Sequence, residues 1–270
     1  MSFSITGKTA VVTGAANGVG LAVARHFSEC GANVMFADMD EEKLIEEIGQ
    51  VSEDETGNID YFVGDLREKL TVANLLSATI DRFERADILV NASRQMLSSD
   101  PLNPDDDAVI ELLNQNLMTS LRLTQVFAKR MIKQTKDIED EDGPCGSIIN
   151  LSSIAARRTQ PELLAYSVSS AALDQMTRSM AVALAPHRIR VNAIALGSVM
   201  SASLQGALKE NEDFRDAIIE STPLHRIASA TELAEVAQFL ASDGSGFMTG
   251  QILTVDGGRT LVDAAEAPAH

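Results

Sequence analysis

Cysteine is scarce: Cys30 and Cys145 are the only two in 270 residues. A disulfide-stapled secreted scaffold is therefore excluded, and a reducing, cytoplasmic setting is expected. Long hydrophobic runs are missing as well. No apolar stretch is long enough to span a bilayer, and residues 1–8 show no charged segment followed by an apolar one, so neither membrane insertion nor export is expected. Basic clusters are absent: 22 Lys and Arg stand against 39 Asp and Glu, a formal charge of −17 with no Lys/Arg stripe. Such a field opposes nucleic-acid backbones and anionic membranes, and neither is expected as a partner. The four histidines, His26, His187, His225 and His270, have no partners at diagnostic spacing, and no Gly-x-Ser-x-Gly elbow surrounds Ser153. Serine-hydrolase chemistry is set aside, and with no His/Cys cluster no metal is expected.

What the chain does hold is 45% hydrophobic residues and 17 glycines, enough for the full core of one α/β domain. Short apolar runs alternate with stretches of helical period, the pattern of βαβ units and a parallel sheet covered on both faces. Seven strands are expected, near residues 9–13, 33–38, 60–64, 88–91, 147–152, 190–195 and 251–255. Between the fourth and fifth, Val109, Leu113, Leu117, Leu121 and Met131 recur near helical spacing behind the start signal Pro104-Asp105-Asp106, which predicts a long helix packed on the sheet by that face. The acidic segment 134–146 reads as a solvated loop, and 197–222 as a mobile lid with one short helical piece. Residues 1–260 are expected to form the domain and 261–270 a peripheral tail or interface element.

Two constellations carry chemistry. Directly after the first strand stands Thr13-Gly14-Ala15-Ala16-Asn17-Gly18-Val19-Gly20, opening a helix. Glycines at this spacing allow a tight turn and close backbone approach to a pyrophosphate, while the helix N-terminus offers free N–H groups to an anion. The second strand ends in Asp38, 24 residues after Gly14, near the spacing at which a carboxylate accepts hydrogen bonds from an adenosine ribose. A carboxylate there repels a 2′-phosphate, and neither Asn17 nor Met39 offers a compensating charge, so NAD is expected over NADP. The second constellation is Asn150-Leu151-Ser152-Ser153 followed by Tyr166, 13 residues after Ser153, with Asn116 upstream.

Together these segments resemble the short-chain dehydrogenase/reductase family, in the branch of acyl-carrier-protein reductases and hydroxysteroid dehydrogenases. The resemblance extends through Asp65-Leu66, through Asn91-Ala92-Ser93 where Asn-Ala-Gly is usual, and through the segments at 190–195 and 249–258. It implies a single Rossmann-type, doubly wound, parallel seven-stranded sheet with helices on both faces and strand order 3-2-1-4-5-6-7. It further implies a cofactor held by Gly14, Asn17, Gly18, Val19, Gly20, Asp38, Asp65, Leu66, Asn91, Ala92, Tyr166 and Gly197, with Asn116, Ser153 and Tyr166 as catalytic residues. The activity implied is NAD(H)-dependent interconversion of a secondary alcohol and a ketone, Tyr166 serving as acid/base and Ser153 polarising the substrate oxygen. A homotetramer follows by the same analogy. Steroid, sugar, polyol and acyl-thioester substrates all fit.

Two positions depart from the family pattern. Ser170 stands four residues after Tyr166, where the family carries lysine, and Leu196-Gly197 stands where Pro-Gly is usual, which predicts a less restrained backbone leading into the lid. A free phenol titrates near 10, so a cation that brings it to about 7 contributes roughly 4 kcal/mol that serine cannot supply. Alcohol oxidation, which needs the phenolate, suffers more from that loss than carbonyl reduction, so a bias toward reduction is expected. Arg94, Arg157 and Arg158 are the candidate replacement cations. The rival expectation is a catalytically silent, NAD-binding regulatory or assembly subunit of the same fold.

Overall fold

The computed structural model describes residues 2–49, 58–135, 143–211 and 213–263. Seven parallel strands form one sheet: β1 (Thr9–Thr13), β2 (Asn33–Asp38), β3 (Ile59–Val63), β4 (Ile88–Asn91), β5 (Gly146–Ser153), β6 (Ile189–Leu196) and β7 (Ile252–Val255). Their order across the sheet is β3-β2-β1-β4-β5-β6-β7, so the chain reverses direction between β1 and β4. The crevice at that switch, outside the carboxyl ends of the strands, is where ligands bind in such sheets.

The central strands β1, β4, β5 and β6 are buried along their whole length because both faces are covered. In β1, Ala10 and Val12 face one core and Val11 the other; in β2, Val34 and Phe36 oppose Met35 in the same way. One layer is α1 (Gly18–Glu29), α2 (Glu41–Gly49) and α9 (Ala230–Ala241), packed through Val23, Phe27, Leu44, Leu233 and Leu240. The opposite layer is α3 (Lys69–Phe83), α5 (Thr119–Gln134) and α6 (Leu164–Leu184), packed through Leu75, Leu123, Phe127 and Leu184. Burying a side chain such as Phe127 completely stabilises the fold by about 2–3 kcal/mol.

The helix expected between the fourth and fifth strands has a different phase from the one its apolar spacing predicts. It is α4 (Ala108–Leu112), a single wide π-helical turn over Leu113–Met118, and then α5. The extra residue of that turn rotates the face that follows it, so Leu123 and Phe127 are buried while Leu117 and Leu121 are only half-buried; before and at the turn Leu112 and Asn116 are buried and Val109 and Leu113 half-buried, and Met131 is buried as its place in the expected face implies. Of the expected acidic loop, 136–142 lie outside the described residues, as do 264–270 of the expected tail. The lid region carries two helices rather than one, α7 (Ala202–Glu210) and α8 (Asp213–Glu220). Leu196 is also tighter than expected: it is buried, belongs to β6 and pairs with Val255, and Gly197 N–H donates to the Val255 carbonyl at 3.0 Å. That N–H belongs to Gly197, so this bond does not depend on an N–H at position 196.

Val199 and Ala228 form an isolated parallel bridge where the lid leaves and rejoins the sheet, and α9 starts directly after it behind a capping box of Ser229 and Glu232. Arg226 Nη1 and Nη2 donate to the Glu232 carboxylate at 2.8 and 2.6 Å, and Ser229 N–H donates at 2.9 Å. Arg226 first, and the Ser229 backbone second, hold that carboxyl down at about 2 from its usual 4.5. Because the folded value is the lower one, the contact's contribution is complete above about 4.5 and is lost as the pH falls toward 2. Arg226→Ala should return Glu232 toward its usual titration and weaken this stem, as carboxyl NMR titration and acid unfolding would register.

Among the described residues no helix is long and apolar enough to cross a membrane, and no group of three or more His, Cys, Asp or Glu is placed to hold a metal ion.

Candidate active site

The glycine turn is shaped by what lies against it. Gly14 has φ +66°, and a Cβ on it would sit 2.9 Å from the Ala92 carbonyl and from backbone atoms of Ser93; a Cβ on Gly20 would meet the Gly14 carbonyl at 2.2 Å. The turn and the segment after β4 therefore touch backbone to backbone. Thr13 fastens them, its Oγ1 accepting N–H bonds from Ala92 at 3.0 Å and Ser93 at 3.1 Å. Asn17 caps α1 only by its backbone, with no side-chain cap and no acidic residue in the first turn, so the N–H groups at Gly18, Val19 and Gly20 face the crevice without a competing anion. At the end of β2, Asp38 accepts from Ala16 N–H at 3.0 Å, Met39 N–H at 2.7 Å and Asp40 N–H at 3.2 Å. Those bonds fix the carboxylate beside the turn and leave lone pairs for further donors.

The other expected nucleotide residues divide. Asp65 is taken up by a two-pronged contact with Arg67, at 2.9 and 2.6 Å, which holds its carboxyl below the usual range. Leu66 turns its side chain into the core. Asn91 is buried and ties β4 to β5 through Nδ2, which donates to Asn150 Oδ1 at 2.8 Å, while its own Oδ1 has no partner among the described residues. Gly197 abuts Asp256, where a Cβ would come within 2.9 Å, so the start of the lid lies flush on the end of β7.

The residues expected to handle the substrate oxygen lie toward the carboxyl ends of β4 and β5. Ser153 is the last residue of β5; its Oγ accepts the Ala155 N–H at 3.1 Å, which occupies an acceptor site and leaves its O–H to donate elsewhere. Tyr166 lies in the first turn of α6, 5% exposed, its ring packed with Ala108, Leu112, Ala155 and Ala165. Its phenol oxygen accepts from Arg94 Nη1 at 2.5 Å. Asn116, in the π turn, sends its amide not to Tyr166 or Ser153 but to the backbone of Gln95: Oδ1 accepts its N–H at 2.8 Å and Nδ2 donates to its carbonyl at 2.9 Å. Its role in this arrangement is to hold the segment after β4. Ser170, one turn beyond Tyr166, is buried and brings no charge. The other candidate cations turn away, Arg157 toward Thr254 Oγ1 at 3.4 Å and Arg158 onto the Thr260 carbonyl.

Four supporting residues, Gln95, Ser152, Asp174 and Thr13, were given no role in the sequence reading. Gln95 is bound through its backbone, which no side-chain pattern signals. Ser152 donates to Asp174 at 2.6 Å, a carboxyl raised above its usual range by burial and only partly relieved by that bond. A lone Asp within an apolar helix face, eight residues after Tyr166, was the signal available for it. Thr13 stood in the glycine motif, but its bolt to Ala92 and Ser93 depends on the β1–β4 contact and is invisible along the chain.

A family model described as Enoyl-(Acyl carrier protein) reductase matches residues 14–260, spanning both the glycine turn and the Ser153–Tyr166 pair. The chain belongs to the short-chain dehydrogenase/reductase family. Members of that family are oxidoreductases that bind nicotinamide cofactors. This short-chain dehydrogenase/reductase is similar to the 3-oxoacyl-[acyl-carrier-protein] reductase FabG of Thermotoga maritima, 33% identical over 95% of this chain and 99% of the relative. Its fold is similar to that of a gluconate 5-dehydrogenase from Burkholderia cenocepacia solved in complex with NADP and tartrate, with a TM-score of 0.85, 30% identity and coverage of 97% and 98% of the two chains. It is similar also to a 7α-hydroxysteroid dehydrogenase solved with NADH and a 7-oxo bile acid, with a TM-score of 0.86, 26% identity and coverage of 95% and 96%.

A dinucleotide fits the residues present in this short-chain dehydrogenase/reductase. The turn is closed against backbone at Gly14 and Gly20 but open at Gly18, where a Cβ would meet only Ser201 Cβ at 3.7 Å, which leaves room for a pyrophosphate against the start of α1, and Asp38 stands where a ribose hydroxyl would donate.

Proposed function

We propose that the protein is an NAD(H)-dependent oxidoreductase that interconverts a secondary alcohol and a ketone. The observation that carries the reading is a buried phenol, Tyr166, held by a cation at the sheet end where the glycine turn opens. When bound, the nicotinamide supplies or accepts the hydride. The chain's own residues handle the oxygen: Ser153 donates its O–H to the substrate oxygen, and Tyr166 gives that oxygen a proton in reduction or takes one in oxidation. Asn116 contributes by keeping the segment 92–95 against the site.

The preference for NAD rests on Asp38. Its charge opposes a 2′-phosphate, the neighbouring Met39 is exposed and uncharged, and Lys43, one turn on, is occupied by Asp40. The double change Asp38→Ser with Met39→Arg is expected to invert the preference, moving the NAD/NADP ratio of kcat/KM by ~100-fold, since charge-assisted hydrogen bonds are worth about 1.5–3 kcal/mol. Steady-state kinetics with both cofactors on one carbonyl substrate measure this, and a ratio that does not move would remove Asp38 from the argument.

The similarity to enzymes named for acyl-carrier-protein thioesters, gluconate and a steroid makes a panel of β-ketoacyl thioesters, sugar acids and oxo-steroids the direct test, with NADH binding followed in parallel. Turnover of none of them with intact NADH binding would favour the silent-subunit reading, which draws its support from Ser170 alone. We also propose a homo-oligomer, a tetramer by analogy. In its support, β7 is an edge strand with half-buried apolar side chains, and Val182 on α6 and Phe247 before β7 are 77% and 107% exposed. A cytoplasmic address accords with Cys30 and Cys145, which are free thiols.

A further inference from the structure

Arg94 leaves β4 three residues after Asn91 and uses one nitrogen twice: Nη1 donates to the Tyr166 phenol oxygen at 2.5 Å and to the Ser152 carbonyl at 3.2 Å. Its guanidinium carbon lies 5.7 Å from the centroid of the Tyr166 ring. The charge therefore meets the phenol at its oxygen. The arginine is held along the chain on both sides, by Thr13 Oγ1 on the N–H groups of Ala92 and Ser93 and by the Asn116 amide on Gln95.

We propose that Arg94 is a catalytic residue, supplying from the β4 side of the cleft the positive charge that proton transfer at Tyr166 needs and that Ser170 cannot provide. The proposal rests on the oxidoreductase reading above. In oxidation, Tyr166 as phenolate takes the substrate hydroxyl proton, and a bound nicotinamide would supply the acceptor for the carbinol hydride; in reduction Tyr166 gives the proton back and the nicotinamide would supply the hydride. The phenolate is the charged form, so a fixed cation at its oxygen favours the oxidation limb above all. Guanidinium stays protonated across any working pH, and a phenol that accepts from it keeps its own proton to give to substrate.

Among the described residues no other charged side chain hydrogen-bonds the Tyr166 oxygen. From the turn after β5, Arg157 and Arg158 are engaged with Thr254 and Thr260; along α6, Asp174 is engaged with Ser152; Glu111 on α4 and Glu162 just before α6 are exposed. The bias toward reduction that Ser170 predicts accordingly belongs to a protein stripped of Arg94.

The test exploits composition. The chain has no tryptophan and only two tyrosines, Tyr61 and Tyr166, so in a Tyr61→Phe background the near-ultraviolet tyrosinate band reports Tyr166 without any turnover. Arg94→Gln retains a hydrogen-bond donor but no charge, Arg94→Lys retains the charge, and Arg94→Gln with Ser170→Lys returns a charge from α6. In Arg94→Gln the band should rise at higher pH than in the parent, oxidation kcat/KM should fall ~100-fold and recover as the pH is raised, and reduction should fall ~10-fold or less. Arg94→Lys should titrate close to the parent, and adding Ser170→Lys to Arg94→Gln should restore at least ~10-fold of the lost oxidation. A band that rises at the same pH with and without Arg94, in a parent that turns over substrate, overturns the arginine's role alone. A shifted band in a parent that turns over none of the panel overturns the oxidoreductase reading and the catalytic role with it.

Discussion

Tyr166→Phe is expected to lower turnover in both directions by about 10³-fold while leaving NADH affinity within about threefold. Phenylalanine keeps the ring that packs with Ala108, Leu112, Ala155 and Ala165, so the pocket wall survives and only the oxygen is lost. That oxygen is the group proposed to exchange a proton with substrate, and the remaining donor, Ser153, can polarise a carbonyl without protonating it. Removing the phenol also leaves Arg94 with the Ser152 carbonyl as its one hydrogen-bonded acceptor among the described residues. The variant therefore tests general-acid chemistry with little structural disturbance. Stopped-flow measurement of the hydride step, together with NADH titration, separates the outcomes: weak nucleotide binding would point to a packing defect, and unchanged turnover would mean that the phenol is a wall residue and the chemistry lies elsewhere.

Gly14→Ala is expected to weaken nucleotide binding by ~100-fold, through loss of one or two charge-assisted hydrogen bonds worth about 1.5–3 kcal/mol each. Two effects combine at this position. The backbone is left-handed, φ +66°, which by itself costs an alanine about 1–2 kcal/mol. In addition, the new methyl would lie 2.9 Å from backbone atoms of Ala92 and Ser93, which must move, and with them the Thr13 bolt and the segment carrying Arg94. Gly7→Ala is the control, since Gly7 also has a left-handed φ, +75°, yet a Cβ there meets nothing within 4 Å. It should lose about 1–2 kcal/mol of stability and no nucleotide affinity. Thermal unfolding and NADH titration of the pair distinguish backbone strain from displacement of the β4 segment; equal loss of affinity in both would mean that the turn does not form the cradle.

Much of this arrangement can be read along the chain because its causes are local. A strand covered on both faces must be short and apolar throughout, and all seven are found within about two residues of where such runs predict them. Gly14 and Gly20 are spaced by steric need, which is equally local. What escaped the sequence depends on contacts across the fold. The turn Leu113–Met118 carries one residue too many for a regular helix, so counting in steps of 3.6 through it selects Leu117 and Leu121 and misses Leu123 and Phe127. Its inward face is also partly polar, with Asn116, Ser120 and Thr124 buried and satisfied by hydrogen bonds, and hydropathy cannot mark such positions. Leu196 departs from the family's proline, and whether that frees or fixes the backbone is decided by β7, more than fifty residues later. Arg94 was visible as a charge near the right sheet end, but its partner could be known only once β4 and α6 were set side by side.

The position of Arg94 bears on how chains of this kind are recognised. A search that demands lysine four residues after the tyrosine would discard this sequence as an inactive copy. A search framed in space, asking whether any cation touches the phenol oxygen and accepting it from either wall of the cleft, would retain it. The same criterion gives a rule for sorting other chains with the lysine replaced: those with arginine directly after Asn-Ala-Ser are the ones to assay first, and those with neither cation are the better candidates for a purely structural subunit.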